Sequence, residues 1–159
     1  MKLTDLIQLD TISVDLEADK KEGVISEMVD LLVNSGNIKK KDRDEILEKV
    51  KEREQLGSTG IGKGIGIPHA KTSVTKKMVA AIGISKKGVD FKSLDGEPTY
   101  IFFLLAAPGD NPGPHLKVLS RISRLLDDKF IRERLRAAKN GKEILGIIRD
   151  EEQKNTLII

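Results

Sequence analysis

The residue best placed to do chemistry is His69, at the end of the segment Gly57-Ser-Thr-Gly60-Ile-Gly62-Lys-Gly64-Ile-Gly66-Ile-Pro68. Five glycines in the ten positions 57–66 do not make a regular helix. Three chemistries compete for such a segment. The first is a nucleotide phosphate loop, because Gly57-x-x-x-x-Gly62-Lys63 matches the first seven positions of that pattern. Gly64 stands where a Ser or Thr should hold magnesium, and Gly66 and Pro68 forbid the helix that must follow. The second is a purely structural connection that happens to end at a histidine. The third is a phosphoryl carrier. Imidazole is largely unprotonated and nucleophilic near neutral pH, and phosphoryl transfer asks mainly for alignment and for donors around three charged oxygens. Side-chain-poor backbone, the hydroxyls of Ser58 and Thr59, and the cation Arg53 could supply those donors, while Pro68 fixes the approach to His69.

The elements around this segment alternate in type. The alternation of Ile12, Val14 and Leu16 predicts a strand over 11–16. Asp19 is placed to cap a helix running to about Ser35, with Val24, Ile25, Met28, Val29 and Leu32 at helical spacing and Gly36 as its stop. A second helix is expected from Lys41 to about Gln55, ended by Gly57. Met78 to Ser85 and Thr99 to Ala107 are β-rich runs. The second is apolar at successive residues, which predicts a central strand covered on both faces. Val89-Asp-Phe91 suggests a short strand, and 110–114 a loop with two prolines. His115 then opens an amphipathic helix with Leu116, Leu119, Ile122, Leu125 and Leu126 on one side. Lys129 to Lys139 and Lys142 to Arg149 read as two more helices, and 150–159 as a frayed tail. Strands in the middle with helices before and after imply an α/β layered fold.

Composition narrows the function further. At 159 residues the chain is about one domain, with a core of about 6–149. Lys+Arg 28 against Asp+Glu 25 leaves a net charge of only +3. The absence of cysteine excludes disulfides, thiolate metal sites and a cysteine nucleophile, and two histidines cannot make a three-His zinc site. With aromatics at 3%, a base-stacking surface is not expected, and the basic stretch from Lys117 to Arg136 reads as a solvated face, so no nucleic-acid partner is implied. The longest strongly apolar run, Tyr100 to Ala107, is far short of the ~20 residues of a membrane helix, and the first ten residues carry no export signature. A cytoplasmic protein without direct membrane insertion is the expectation.

The long motif Arg53-Glu-x-x-Gly57-Ser-Thr-Gly-Ile-Gly-x-Gly64-Ile-x-Ile-Pro68-His69-x-Lys71 resembles the enzyme IIA type-2 domains, fructose/mannitol class, of the phosphoenolpyruvate-dependent phosphotransferase system (PTS), including their nitrogen-regulatory branch. The strand Ile101-Phe-Phe-Leu-Leu-Ala-Ala-Pro108, the helix His115-Leu-x-x-Leu119-Ser-x-Ile-x-x-Leu125-Leu126, the spacing of the two histidines and Ile131-Arg-x-Arg-Leu-Arg-Ala-Ala138 extend the likeness from about Leu6 to Arg149. Gly66 stands where many relatives have alanine, and Ala70 where many have glycine.

This resemblance implies a single three-layer α/β domain over 1–159, a central mixed β-sheet flanked by helices. It implies that HPr or a paralogue phosphorylates His69 on Nε2. In transport systems the phosphoryl group then passes to a cysteine of enzyme IIB, on another chain here. In the nitrogen-related branch the phosphorylation state instead governs binding to regulatory target proteins. His115 falls on the family's second histidine and would donate to the phosphoryl oxygens, and Arg53 on its arginine. Thr59 is a weaker candidate for a hydroxyl contact. No cofactor and no metal are implied.

Each residue also has a plainer reading. His115 could simply start its helix, Arg53 could be a solvated helix-end cation, and Ser58 could satisfy backbone groups at the helix end. A two-histidine metal hydrolase using Asp110 remains as another enzyme class, without a supporting His-x-x-x-His spacing.

Overall fold

The structure is a computed structural model that describes residues 1–110 and 112–157. Its strands are β1 (Ile12–Ser13), β2 (Gly60–Gly62), β3 (Ile65–Gly66), β4 (His69–Thr72), β5 (Val79–Val89) and β6 (Thr99–Pro108). The helices are α1 (Lys21–Asn34), α2 (Arg43–Leu56), α3 (Pro112–Leu125), α4 (Lys129–Ala137) and α5 (Gly141–Leu157). The sheet runs β1-β5-β6-β3-β2, and β4 also pairs with β6. It is mixed: β5 lies antiparallel to β6, whereas β3 and β4 lie parallel to β6 and β1 lies parallel to β5.

β6 is buried on both faces, and its alternate side chains enter two different cores. Ile101, Phe103, Leu105 and Ala107 join Val118, Ile122, Ile131, Leu135, Ile144 and Ile148 from α3, α4 and α5. Phe102, Leu104 and Ala106 join Val24, Ile25, Met28, Val29 and Leu32 of α1 and Ile46 and Val50 of α2. The period-2 alternation of one strand thus builds a helix–sheet–helix sandwich. α1 carries the five apolar positions expected of it, all buried.

Several local expectations need correction. The strand expected over 11–16 is reduced to Ile12–Ser13, preceded by a short 3-10 turn at Leu9–Thr11, although Leu16 N–H still donates to Ile84 O at 2.9 Å. Asp19 does not cap α1. Lys20 takes the cap position in extended conformation, held by a parallel bridge to Asp90, with no side-chain cap. The glycine segment is a β-hairpin and not an open loop: β2 and β3 are joined by a turn in which Gly62, Lys63 and Gly64 all have positive φ (94°, 60° and 78°). That backbone strongly favours glycine, which explains two of the five.

α3 begins at Pro112, so His115 sits inside the first turn and does not open the helix. Proline is tolerated there because first-turn N–H groups have no intrahelical acceptor. The inward face is His115, Val118, Ile122 and Leu125, while Leu116 is exposed. The tail expected to fray from 150 continues α5 to Leu157, and 158–159 lie outside the described residues. The buried Glu152 carboxylate accepts from Leu3 N–H at 2.7 Å and Thr4 N–H at 3.2 Å, which fixes the tail to the amino terminus.

Candidate functional site

His69 is the first residue of β4, held to β6 by the parallel register His69↔Leu105 and by Leu105 N–H donating to Pro68 O at 3.0 Å. Strand alternation turns Ala70 into the core shared with α1 and α2. It leaves the His69 ring half-buried and Lys71 exposed on the opposite side, toward α3. Central-strand pairing therefore makes the backbone beneath the imidazole rigid.

The ring itself is fixed by one bond, between Nδ1 and the Ile67 carbonyl at 2.7 Å. A carbonyl only accepts, so Nδ1 carries the proton and Nε2 holds the free lone pair. Burial pushes the His69 pKa below its ordinary value. The bond to Ile67 and the carboxylate of Glu54 oppose this, and the charges of Arg53 and Lys71 reinforce it. His69 is thus a neutral imidazole at neutral pH with a defined nucleophilic nitrogen.

His115 meets it from α3. The ring centroids are 5.3 Å apart and the planes 83° apart, an edge-on arrangement. His115 is buried, and among the described residues neither of its ring nitrogens has a hydrogen-bond partner. Burial first, then the charges of His69 and Lys71, push its pKa down to about 4. A neutral His115 has one N–H to donate and no internal acceptor for it.

Arg53, in the last turn of α2, donates from Nη1 to Gly57 O at 3.0 Å. Its charge also acts on His69. It is therefore oriented by the chain turn that begins the glycine segment. Thr59 is placed differently from expectation. Its hydroxyl donates to Glu54 Oε2 at 2.6 Å and its N–H to Oε1 at 2.8 Å, all buried. That proton is engaged with a carboxylate, so as the chain is folded Thr59 has none to give a phosphoryl oxygen. Ser58 serves the backbone, donating to Phe91 O at 2.9 Å and accepting from Gly60 N–H at 3.0 Å. The amides of Thr59, Gly60 and Lys63 are engaged with Glu54, Ser58 and Asp95, so they do not form the expected anion cradle. Close packing accounts for glycine at 60, where a Cβ would stand 2.9 Å from Ser93 Cα.

Two contributors were not assigned a role from sequence. Lys71 stood inside the motif, but its charge reaches both histidines only because β4 turns it to the same side as His69. Glu54 is a buried carboxylate paired with Lys21 Nζ at 2.8 Å. One signal could have marked it: an acidic residue in the last turn of a helix faces the negative end of the macrodipole, so a specific partner must hold it. Among the described residues no group of three or more His, Asp or Glu side chains is arranged to hold a metal ion.

The model of one protein family, described as "Phosphoenolpyruvate-dependent sugar phosphotransferase system, EIIA 2", matches residues 5–151. The fructose-specific EIIABC component of the PTS of Bacillus subtilis is 42% identical over 153 residues, 96% of this chain but 24% of that protein. The fructose-specific EIIA component of Haloferax volcanii is 36% identical over 151 residues, 93% of this chain and 97% of that protein. The crystal structure of the nitrogen regulatory protein IIA-Ntr from Neisseria meningitidis superposes with a TM-score of 0.84 at 30% identity, over 92% of this chain and 98% of that one.

Proposed function

We propose that this chain, which belongs to the EIIA 2 family of the phosphoenolpyruvate-dependent sugar phosphotransferase system, carries a phosphoryl group on Nε2 of His69. The observation that carries the reading is the bond from Nδ1 to Ile67 O, which leaves Nε2 unprotonated on a half-buried ring. The donor is a phosphohistidine of HPr or a paralogue. Nε2 attacks its phosphorus, the new N–P bond forms as the donor's N–P bond breaks, and the Nδ1 proton stays in place. The positive charge that develops on the ring is shared with the Ile67 carbonyl. The phosphoryl oxygens face the charges of Arg53 and Lys71 and the unengaged N–H of His115. Onward transfer reverses the geometry: a cysteine thiolate of an enzyme IIB chain attacks, S–P forms as N–P breaks, and neutral His69 is restored.

The fructose-specific relatives favour a fructose- or mannitol-type transport relay. A second reading rests on the nitrogen regulatory structure, which is similar over nearly the whole chain. There the phosphorylation state would govern contact with regulatory proteins. The family match over residues 5–151 supports treating the chain as one such domain. A cytoplasmic site of action belongs to the same proposal; among the described residues no helix is long and apolar enough to cross a membrane.

The test is labelling from phosphoenolpyruvate with enzyme I and HPr, and in parallel with their paralogues, then a chase with fructose- and mannitol-type enzyme IIB. Label should enter the wild-type chain and leave it on addition of one IIB. Label that enters but leaves to no IIB favours the regulatory reading, and a chain that takes no label contradicts both.

A further inference from the structure

The carboxylate of Glu54 and the imidazole of His69 are joined by a continuous run of hydrogen bonds through the glycine segment. Glu54 accepts from Thr59 N–H at 2.8 Å and from the Thr59 hydroxyl at 2.6 Å. The Thr59 carbonyl accepts from Ile67 N–H at 3.1 Å. The Ile67 carbonyl then accepts from His69 Nδ1 at 2.7 Å. Three of these groups lie in residues that are themselves buried: Glu54, Thr59 and Ile67. The far end of the run is anchored as well, because Lys21 Nζ at the start of α1 pairs with Glu54 Oε1 at 2.8 Å.

We infer that Glu54 is a positioning residue that sets the tautomer and the angle of the His69 ring through Thr59 and Ile67. A threonine held by both its amide and its hydroxyl on one buried carboxylate cannot rotate or slide. Its carbonyl is therefore a fixed acceptor for Ile67, in a hairpin whose β2–β3 register is irregular between Gly60 and Gly62 and whose β3 strand is paired to β6. The Ile67 carbonyl precedes Pro68, which has no N–H to donate and is held to β6 through its carbonyl, the acceptor of Leu105 N–H at 3.0 Å. Without the Glu54–Thr59 clamp, the Ile67 carbonyl loses the constraint that aims it at Nδ1. The His69 proton can then occupy either nitrogen, and ring protonation at Nε2 removes the lone pair. Glu54 also acts through space, its charge raising the His69 pKa against the effect of burial. Charged groups bearing on His69 from the packed elements are Arg53 and Glu54 of α2 and Lys71 of β4.

This inference deepens the phosphoryl-carrier reading and rests on it for its kinetic consequence, but its direct readout does not require phosphorylation. The experiment is long-range ¹H–¹⁵N correlation of the histidine ring nitrogens at neutral pH in wild type, Glu54→Ala and Glu54→Gln. Wild-type His69 should be a single Nδ1–H tautomer. Glu54→Ala should give a mixture of tautomers, and Glu54→Gln, which keeps an acceptor for Thr59 N–H only, an intermediate one. Phosphorylation by HPr should slow by about tenfold in Glu54→Ala, in kcat and not in the donor KM, the size expected of a misaligned nucleophile. If Glu54→Ala does not fold by circular dichroism, Glu54→Gln decides. A folded variant whose His69 keeps the wild-type tautomer overturns the inference. A tautomer that shifts in a chain whose wild type accepts no phosphoryl group leaves the positioning role standing and refutes the carrier function instead.

Discussion

The rings of His69 and His115 stand edge to face at 5.3 Å, one brought by a strand and the other by the first turn of a helix. They differ in what holds them. His69 is tethered through Nδ1, whereas His115 is buried on the inward stripe of α3, with both nitrogens unpartnered among the described residues. Leaving a buried polar group unbonded costs roughly 1–3 kcal/mol. A phosphoryl oxygen arriving on Nε2 of His69 is the acceptor that would relieve this.

His115→Ala should therefore still accept phosphoryl from HPr, but more slowly and with impaired onward transfer. Losing one donor to transition-state charge is worth about 10²–10³ in rate where the donor is fully preorganised. Stopped-flow or quenched-flow labelling measures both steps. Unchanged rates in both directions would return His115 to a packing role.

Acid should destabilise this fold before its carboxylates titrate. His115 is neutral in the folded chain down to about pH 4, whereas in the unfolded chain it titrates near its ordinary value. Above roughly pH 6.5 both states hold it neutral, and stability is unaffected. As pH falls below that, the unfolded state takes up a proton that the folded state refuses, so stability declines until about pH 4. The loss is on the order of 3 kcal/mol, and the lowered pKa of His69 adds in the same direction. Urea unfolding between pH 7 and 4 measures the slope, and His115→Gln should flatten it.

Arg53 should matter to rate far more than to stability. Its removal takes away a cation near the reacting nitrogen and one bond to an exposed carbonyl, Gly57 O. We expect Arg53→Ala to slow phosphoryl transfer by about 10–10² while unfolding free energy changes by about 1 kcal/mol or less. The His69 pKa should rise in this variant, because the Arg53 charge holds it down. A histidine titration followed by NMR checks the sign.

Packing of the central sheet gives a control remote from the site. A Cβ at Gly83 would stand 2.7 Å from Leu16 Cδ1, inside the core under α1. Gly83→Ala should cost about 1–3 kcal/mol of stability, measured by denaturant unfolding, with phosphorylation of the folded fraction unchanged.

What the sequence could reveal follows from how each feature is encoded. β6 was legible because eight successive apolar residues, Tyr100 to Ala107, suit only a strand covered on both faces. α1 was legible by its helical spacing, although its start was not, since Lys20 is placed by a bridge to Asp90 far along the chain. The β2–β3 hairpin was hidden because glycine-rich strands carry no alternation of side chains to read. The start of α3 was misplaced because prolines mark a loop in most contexts and a helix's first turn in this one. At the site, the ring of His115 stands beside that of His69 and the charge of Arg53 acts on His69, a convergence that local sequence does not encode because the three come from three different elements. Thr59 is turned away by Glu54, a pairing that local sequence does not reveal because a backbone turn at Gly57–Ser58 brings the two together.

The most direct test of the account is the chemical identity of the phosphorylated nitrogen. The chain, labelled at its histidine ring nitrogens with ¹⁵N and phosphorylated by phosphoenolpyruvate, enzyme I and HPr, should show ³¹P coupling to Nε2 of His69, with Nδ1 still protonated. Phosphate on Nδ1 of His69 or on His115 would contradict it.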